Sequence, residues 1–290
     1  MVPSELQRRI AERYDQLSPK QRQVARFIAD NEAFTAFASA AELGKAVDVD
    51  AATVVRLAQS LGFSGYAELQ EVIRGRIPER LTFVQRIEQQ RQQPMDRQQL
   101  PVKVFTNDIE NLNQTLNQTQ PEAVDAAVEA ICRADHVIVV GMGFSAAVAV
   151  FLGHGLNSLG IRTTVLTEGG SSLTITLANL RPTDLMIGVS VWRYLRDTVA
   201  ALAGAAERGV PTIALTDSSV SPPARIADHV LVAATRGVGH SLSPVGLIAV
   251  VNLLLAEIAV REPERALAVL REVDRLYREQ GMVDGAEQNG

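Results

Sequence analysis

The rhythm of apolar positions changes along the chain. Up to about residue 75, apolar residues recur at helical spacing: Val24, Phe27 and Ile28, then Leu43, Ala46 and Val49, then Val54, Val55, Ala58 and Leu61. Three- and four-residue intervals line one face of a helix, and no strand alternation interrupts them, so a small all-helical module is predicted. From His136 the pattern becomes short, nearly continuous apolar runs at 136–141, 162–167, 184–190, 211–216 and 229–234, mostly separated by helical stretches. Such runs predict a five-stranded parallel sheet covered by helices on both faces, the α/β class. Ligands of these sheets sit at the carboxyl ends of the strands. A helix over about 102–118 and another opening at Pro121, a residue suited to the first helical turn, lead into the first strand.

Between the two rhythms lies "RIPERLTFVQRIEQQRQQPMDRQQLP", rich in Gln and Arg and punctuated by Pro78, Pro94 and Pro101. It buries little apolar surface and reads as a connector with partial helix. The expected organisation is an all-helical domain over 1–77, a linker over 78–101, an α/β domain over 102–281 and a tail over 282–290. Two domains also suit a chain of 290 residues.

The segment from Ser39 to Gln70 carries the most local information. Ser39 followed by Glu42 is a capping-box signature, and Asp50, after the turn "VDVD", is placed to cap a second helix. That helix ends at Leu61, with Gly62 where a left-handed residue is wanted. With a third helix from Pro19 to about Asn31, this is a helix-turn-helix core. Val54, Val55, Ala58 and Leu61 mostly pack inward in it, leaving Ala51, Ala52, Thr53, Arg56, Gln59 and Ser60 toward solvent or a major groove. Arg reads guanine bidentately, Gln reads adenine, and the methyl of Ala or Thr touches thymine. Ser39 and Ser64 are candidate phosphate donors, and Tyr66 is a further candidate DNA contact. The plainer alternative makes Arg56 and Gln59 solvated helix residues.

Charge shifts this picture toward pairs of subunits. From Ser18 to Arg76, Lys20, Arg22, Arg26, Lys45, Arg56, Arg74 and Arg76 are balanced one for one by Asp30, Glu32, Glu42, Asp48, Asp50, Glu68 and Glu71. A neutral module gains little from phosphates, so one copy binds DNA weakly and a dimer on two half-sites is the expected unit. The whole chain has a net charge of −5, which argues against a general basic coat. Cys132 is the only cysteine, which excludes an internal disulfide and a cysteine zinc site; it reads as a small packed side chain. The amino-terminal stretch lacks a continuous apolar signal core, and the longest apolar run, 245–260, is short for a membrane span and contains Asn252 and Glu257. A cytoplasmic protein without membrane contact is expected.

The segments "LSPKQRQVARFIADN", "AELGKAVDVDAATVVRLAQSLGFSGYAELQ" and "VIVVGMGFSAAVAVFLGHGLNSLG" resemble the RpiR family of bacterial transcription regulators. The resemblance implies an amino-terminal helix-turn-helix domain joined to a sugar-isomerase (SIS) domain. It also implies a dimer or tetramer that binds palindromic operator DNA and senses a small metabolite, commonly a phosphosugar.

In the ligand domain, Gly141, Gly143 and Ser145 stand between a strand and a helix, where a sharp turn and a helix N-terminus favour anions or simply make a tight turn. A dinucleotide fingerprint fails at Ala146, and the first acidic residue after the second strand is Glu168, so no nicotinamide cofactor is expected; no metal is expected either. The phosphosugar pattern of SIS domains, Ser-x-Ser-Gly-x-Thr after the third strand, falls here on Ser190, Val191, Trp192, Arg193, Tyr194 and Leu195. Only the first serine matches, and an aromatic and cationic loop replaces the small cradle. Arg193 and Arg196 are expected in the first turn of the next helix, where the macrodipole disfavours cations. Either Asp197 or Glu168 offsets them, or a ligand carboxylate or phosphate does, with Trp192 and Tyr194 walling its apolar or sugar face. After the fifth strand, "GVGHSLSPVGL" corresponds to a loop that lines SIS pockets, which makes His240 and Ser241 candidate contacts; Ser243 reads as a helix cap before Pro244.

The leading expectation is a DNA-binding regulator, with no catalytic residues, whose SIS domain binds a small and possibly anionic effector. A sugar-phosphate isomerase is the alternative; it needs a phosphate grip and a base, for which only His240 is at hand. A third reading is a regulator whose SIS domain serves oligomerisation alone.

Overall fold

A computed structural model of the chain describes residues 5–36, 38–74, 83–92 and 96–282; the expected tail from 283 on and parts of the expected linker, 78–82 and 93–95, lie outside the described residues. Two compact units are present. One comprises residues 1–105 together with 236–242, the other 106–235 together with 243–290.

The first unit contains the helices α1 (Glu5–Arg13), α2 (Pro19–Asp30), α3 (Glu32–Thr35), α4 (Ala40–Ala46), α5 (Ala51–Ser60), α6 (Tyr66–Arg74) and α7 (Phe83–Gln92). The expected capping box of Ser39 with Glu42 forms at the start of α4, and Ser18 with Gln21 forms a second one, not read from the sequence, at the start of α2. Asp50 caps α5 by accepting from the Thr53 N–H at 2.5 Å, and Gly62 takes φ +84° just beyond its end. The turn between α4 and α5 is tight: the Val49 N–H donates to the Gly44 carbonyl at 2.9 Å. A Cβ on Gly44 would stand 2.6 Å from the Val49 carbonyl oxygen, so only glycine fits. Asp48 absorbs the reversal at φ +55°, a conformation that Asp tolerates better than most residues. Leu6, Val24, Ile28, Leu43, Leu57, Leu61, Leu69 and Ile73 close the core.

The second unit is built on a five-stranded, wholly parallel sheet: β1 (His136–Gly141), β2 (Thr163–Leu166), β3 (Asp184–Val189), β4 (Thr212–Thr216) and β5 (His229–Val232), in the order β2-β1-β3-β4-β5. The helices are α8 (Leu100–Gln118), which continues from the first unit, α9 (Pro121–Arg133), α10 (Ala146–Ser158), α11 (Ser171–Ala178), α12 (Arg196–Ala206), α13 (Val245–Arg261) and α14 (Pro263–Gln280). The central strand β3 is buried throughout, which accounts for its uninterrupted apolar run. The chain leaves β1 toward one edge and returns as β3 on the other side, so the crevice at the ends of β1 and β3 is the topological switch point. Among the described residues no helix is long and apolar enough to cross a membrane.

Candidate functional site

Two sites emerge, one in each unit. In the first, α5 buries Val54, Leu57, Ala58 and Leu61 and exposes Ala52, Arg56 and Gln59, with Ala51 half-buried. The Arg56 guanidinium donates to the Thr53 hydroxyl at 3.1 Å and lies 3.5 Å from the Asp50 carboxylate. This pair is largely exposed, and such pairs are weak, so Arg56 is held in place without being locked. Hydrogen bonds from Thr53, and then the positive charges of Arg56 and Lys20, hold the Asp50 carboxyl below its ordinary pKa.

Two expectations about this face need correction. Thr53, expected toward solvent, is only 5% exposed. It occupies the third helical position, where the capping bond from Asp50 draws it against the α4–α5 turn. Tyr66, named with the DNA-binding residues, is 7% exposed, and its hydroxyl donates to the Ala38 carbonyl at 2.9 Å and the Thr35 carbonyl at 3.2 Å. It ties α6 to the segment before α4. Ser39 and Ser64 are exposed. The Ser39 hydroxyl is engaged in its capping box, and the Ser64 N–H donates to Glu68 at 2.6 Å, which holds that carboxyl below its usual range. Sequence reasoning missed a clamp at the far end of α5. Arg13 donates to the Ser60 carbonyl at 2.7 Å, Arg9 to the Gly62 carbonyl at 3.2 Å, and Arg9 also stacks over Phe63. Cations on carbonyls at a helix C-terminus oppose its negative dipole end. The only sequence signal was arginines on one face of an amino-terminal helix.

In the second unit, the loops after β1, β2, β3 and β4 converge on the switch point. Gly143 takes φ +58°, and a Cβ there would touch Leu195 at 3.1 Å, so the loops after β1 and β3 abut. Gly169 faces Asp197, whose carboxylate leaves no room for a Cβ, which joins the loop after β2 to the first turn of α12. Ser145 and Ser190 are buried at 4% and 3% exposure, while Gly143, Glu168, Arg193 and Arg196 are exposed.

The bulky loop after β3 is closed by a residue that sequence reasoning did not select. Asp217, just past β4, accepts from the Trp192 N–H at 3.2 Å and from the Tyr194 hydroxyl at 2.7 Å. The two rings meet edge to face with centroids 6.2 Å apart, and the Tyr194 N–H donates to the Val191 carbonyl at 2.8 Å. Arg193 and Tyr194 take φ +40° and +36°, rare for non-glycine residues, and this strain requires such over-determination. The expectation that Arg193 lies in the first turn of the next helix is corrected: α12 begins at Arg196, and Arg193 rides at the apex of the turn. Of the two arginines, only Arg196 meets the positive dipole end of α12.

His240 and Ser241 belong to the first unit. The Ser241 carbonyl there accepts from Arg86 of α7 at 3.3 Å, and His240 is exposed. The expected cap at Ser243 is corrected: Pro244 is the N-cap of α13, whose start has no side-chain cap, and the Ser243 hydroxyl instead donates to Asp108 of α8 at 2.6 Å while the Val245 N–H approaches it at 3.4 Å. Among the described residues no group of three or more His, Cys, Asp or Glu is placed to hold a metal. Cys132 is half-buried, and burial raises its thiol pKa.

Comparison with known proteins bears on both sites. Residues 4–77 match the helix-turn-helix domain of the rpiR family, and residues 130–247 match the SIS domain. The HTH-type transcriptional regulator HexR of Pseudomonas aeruginosa is 28% identical over 217 residues, 74% of each chain. The solved sugar isomerase domain of an RpiR transcription factor from Sphaerobacter thermophilus is 97% identical, covering 61% of this chain and 99% of its own, with a TM-score of 0.61. NanR of Vibrio vulnificus, solved in complex with ManNAc-6P, is 21% identical, covering 96% of this chain and 99% of its own, with a TM-score of 0.63.

Proposed function

Because this chain belongs to the RpiR family of helix-turn-helix transcriptional regulators and carries a SIS domain, we propose that it reads operator DNA with the exposed face of α5 and releases or grips it according to a small anionic metabolite. One observation carries the reading: α5 is capped at its start, clamped by arginines at its end and buried on one side, yet presents Arg56 and Gln59 outward without packing them. A rigid helix with a free polar face is what entry into a major groove requires. Ala51 and Ala52 offer methyl contacts to thymine, and Ser39 and Ser64 lie at helix starts where phosphates are favoured. Thr53 and Tyr66, being buried, are left out of this surface.

For the effector we assign the crevice at the ends of β1 and β3. Gly143, Ser145 and Ser190 form its floor, Arg193 and Arg196 supply positive charge, and Trp192 and Tyr194 stiffen the rim. NanR is known with ManNAc-6P, which supports a sugar phosphate or related acid as the class. The isomerase alternative needs a base beside the substrate, and Gly143, Ser145 and Ser190 on the crevice floor offer none, so the non-enzyme reading is preferred. The functional unit is a homodimer, or a dimer of dimers, spanning two half-sites about 34 Å apart or a multiple of that.

Selection of bound fragments from random genomic DNA identifies the operator, and fluorescence anisotropy on operator variants then tests the helix. Arg56→Ala is expected to lose about 1 to 3 kcal/mol at one base position and to level discrimination there. Unchanged discrimination at every position would remove Arg56 from the readout. Calorimetry with sugar phosphates tests the crevice, with Arg196→Ala as the variant expected to weaken binding. Turnover of any such compound would favour the isomerase reading instead.

A further inference from the structure

Helix α8 is amphipathic in the wrong direction for a helix covering a sheet. Its inward side is polar: Asn107, Asn111 and Thr115, one helical turn apart, are 7%, 1% and 3% exposed. Thr115 accepts from the Ala234 N–H at 3.0 Å, and the neighbouring Asp108 accepts from the Ser243 hydroxyl. Gly246 allows this approach, since a Cβ there would stand 2.6 Å from the Thr115 hydroxyl. The outward side is apolar: Val102, Phe105, Ile109 and Leu116 are 58 to 72% exposed, and Leu112 is 38% exposed. Rolling the helix to bury them would break the polar seat.

Together these five side chains expose on the order of 500 Å², near the top of what a monomer leaves in one patch. Their spacing is three, four, three and four residues, the seam of a two-helix coiled contact. It is also centred. Counting outward from Ile109, apolar residues stand seven and four positions before it and three and seven after it. An identical helix laid antiparallel therefore sets Val102 against Leu116 and Ile109 against its own counterpart, with Phe105 one position away from Leu112. The positions flanking the seam are Thr106, Asn113, the inward-turned Thr115 and Asp108, the last already bonded to Ser243. The five seam positions themselves carry no charge; the carboxylate nearest them, Asp108, is turned to Ser243.

We infer that the exposed face of α8 is the subunit interface, in which two copies of the chain pair antiparallel about a dyad at Ile109. An isologous contact requires self-complementarity, and this stripe has it. Beyond Leu116 a cavity of about 450 Å³ opens between the start of α9 and α13, its walls half uncharged (Thr119, Pro121, Val124, Leu253) and half charged, among them Asp125 and Arg261. In the antiparallel arrangement Leu100 of the second copy approaches its mouth, which adds area toward the roughly 800 Å² per subunit of a stable pair.

The inference deepens the paired-subunit reading above and rests on it. Sedimentation equilibrium of the full chain tests both. Wild type is expected to be dimeric, and Ile109→Glu, which brings two carboxylates together on the dyad, to dissociate with a constant raised roughly 30-fold or more. Its far-UV spectrum should be that of the folded chain. Mixing Ile109→Glu with Ile109→Lys should restore the dimer, because the altered position meets itself. An Ile109→Glu protein of undiminished dimer mass, or no recovery on mixing, would place the interface elsewhere while leaving paired DNA reading intact. A monomeric wild type would overturn both. Should Ile109→Glu misfold, oxidation of Ile109→Cys decides: a covalent dimer supports the dyad, and its absence overturns it.

Discussion

Helices α5 and α8 are built on opposite plans. In α5 the apolar side, Val54, Leu57, Ala58 and Leu61, faces the core and the polar side faces out; in α8 Asn107, Asn111 and Thr115 face in and the apolar stripe faces out. Burial alone would make every surface helix resemble α5, since transfer of apolar area from water dominates packing. A helix that inverts the rule is held by specific hydrogen bonds and keeps its apolar area for a surface outside the protomer. The outward face of each helix thus indicates its partner chemistry: polar and cationic for a duplex, apolar and uncharged for a like helix.

The largest expected effects test the inward faces. Leu57→Ala removes a side chain with no exposed surface from the core of the first unit. A loss of about 2 to 5 kcal/mol is expected, read as a lowered midpoint in urea. The same truncation of Leu116, 72% exposed, should leave the stability of dilute, dissociated chain within about 0.5 kcal/mol of wild type. Comparable losses from both would erase the distinction. A smaller effect is expected on the polar seat of α8: Asn111→Ala removes an amide that is only 1% exposed, a cost of about 1 to 3 kcal/mol. If Asn111→Leu instead stabilised the protomer, the seat would be ordinary core and the inversion incidental.

The two plans differed in how legible they were beforehand. Helix α5 announced itself through short-range chemistry, the Ser39–Glu42 box, Asp50 and Gly62, all acting within four residues. The strands were as plain, because burial on both faces leaves an unbroken apolar run. Thr53 was misplaced because its burial depends on the α4–α5 turn as well as on helical phase. In α8 only a helix was read, and apolar spacing gives no sign of which face turns inward; that was decided by Ala234 and Ser243, more than a hundred residues away. The loop at Trp192 shows the same limit. Its unusual residues were evident, but the carboxylate that closes it, Asp217, arrives from the next strand.

The finest test of the comparison uses protons and salt. Thr53 and Arg56 hold the Asp50 carboxyl below its usual value, so the cap's contribution is complete above the unfolded value near 3.9 and is lost only as pH falls through the lower, folded value. The Thr53 amide resonance, whose N–H donates to that carboxylate, should titrate with a midpoint under 3.9. Asp50→Asn, which keeps a capping oxygen, should abolish the titration without unwinding α5. A midpoint at or above 3.9 would mean that the cap does not favour the ionised form. The exposed stripe of α8 carries no titrating group, so dimer dissociation should be level between pH 5 and 8 and nearly indifferent to salt. DNA binding through α5 should fall measurably over the same salt range, with the modest slope of a neutral module, because each phosphate contact releases counterions. Equal salt sensitivity of the two equilibria would mean that both faces are electrostatic.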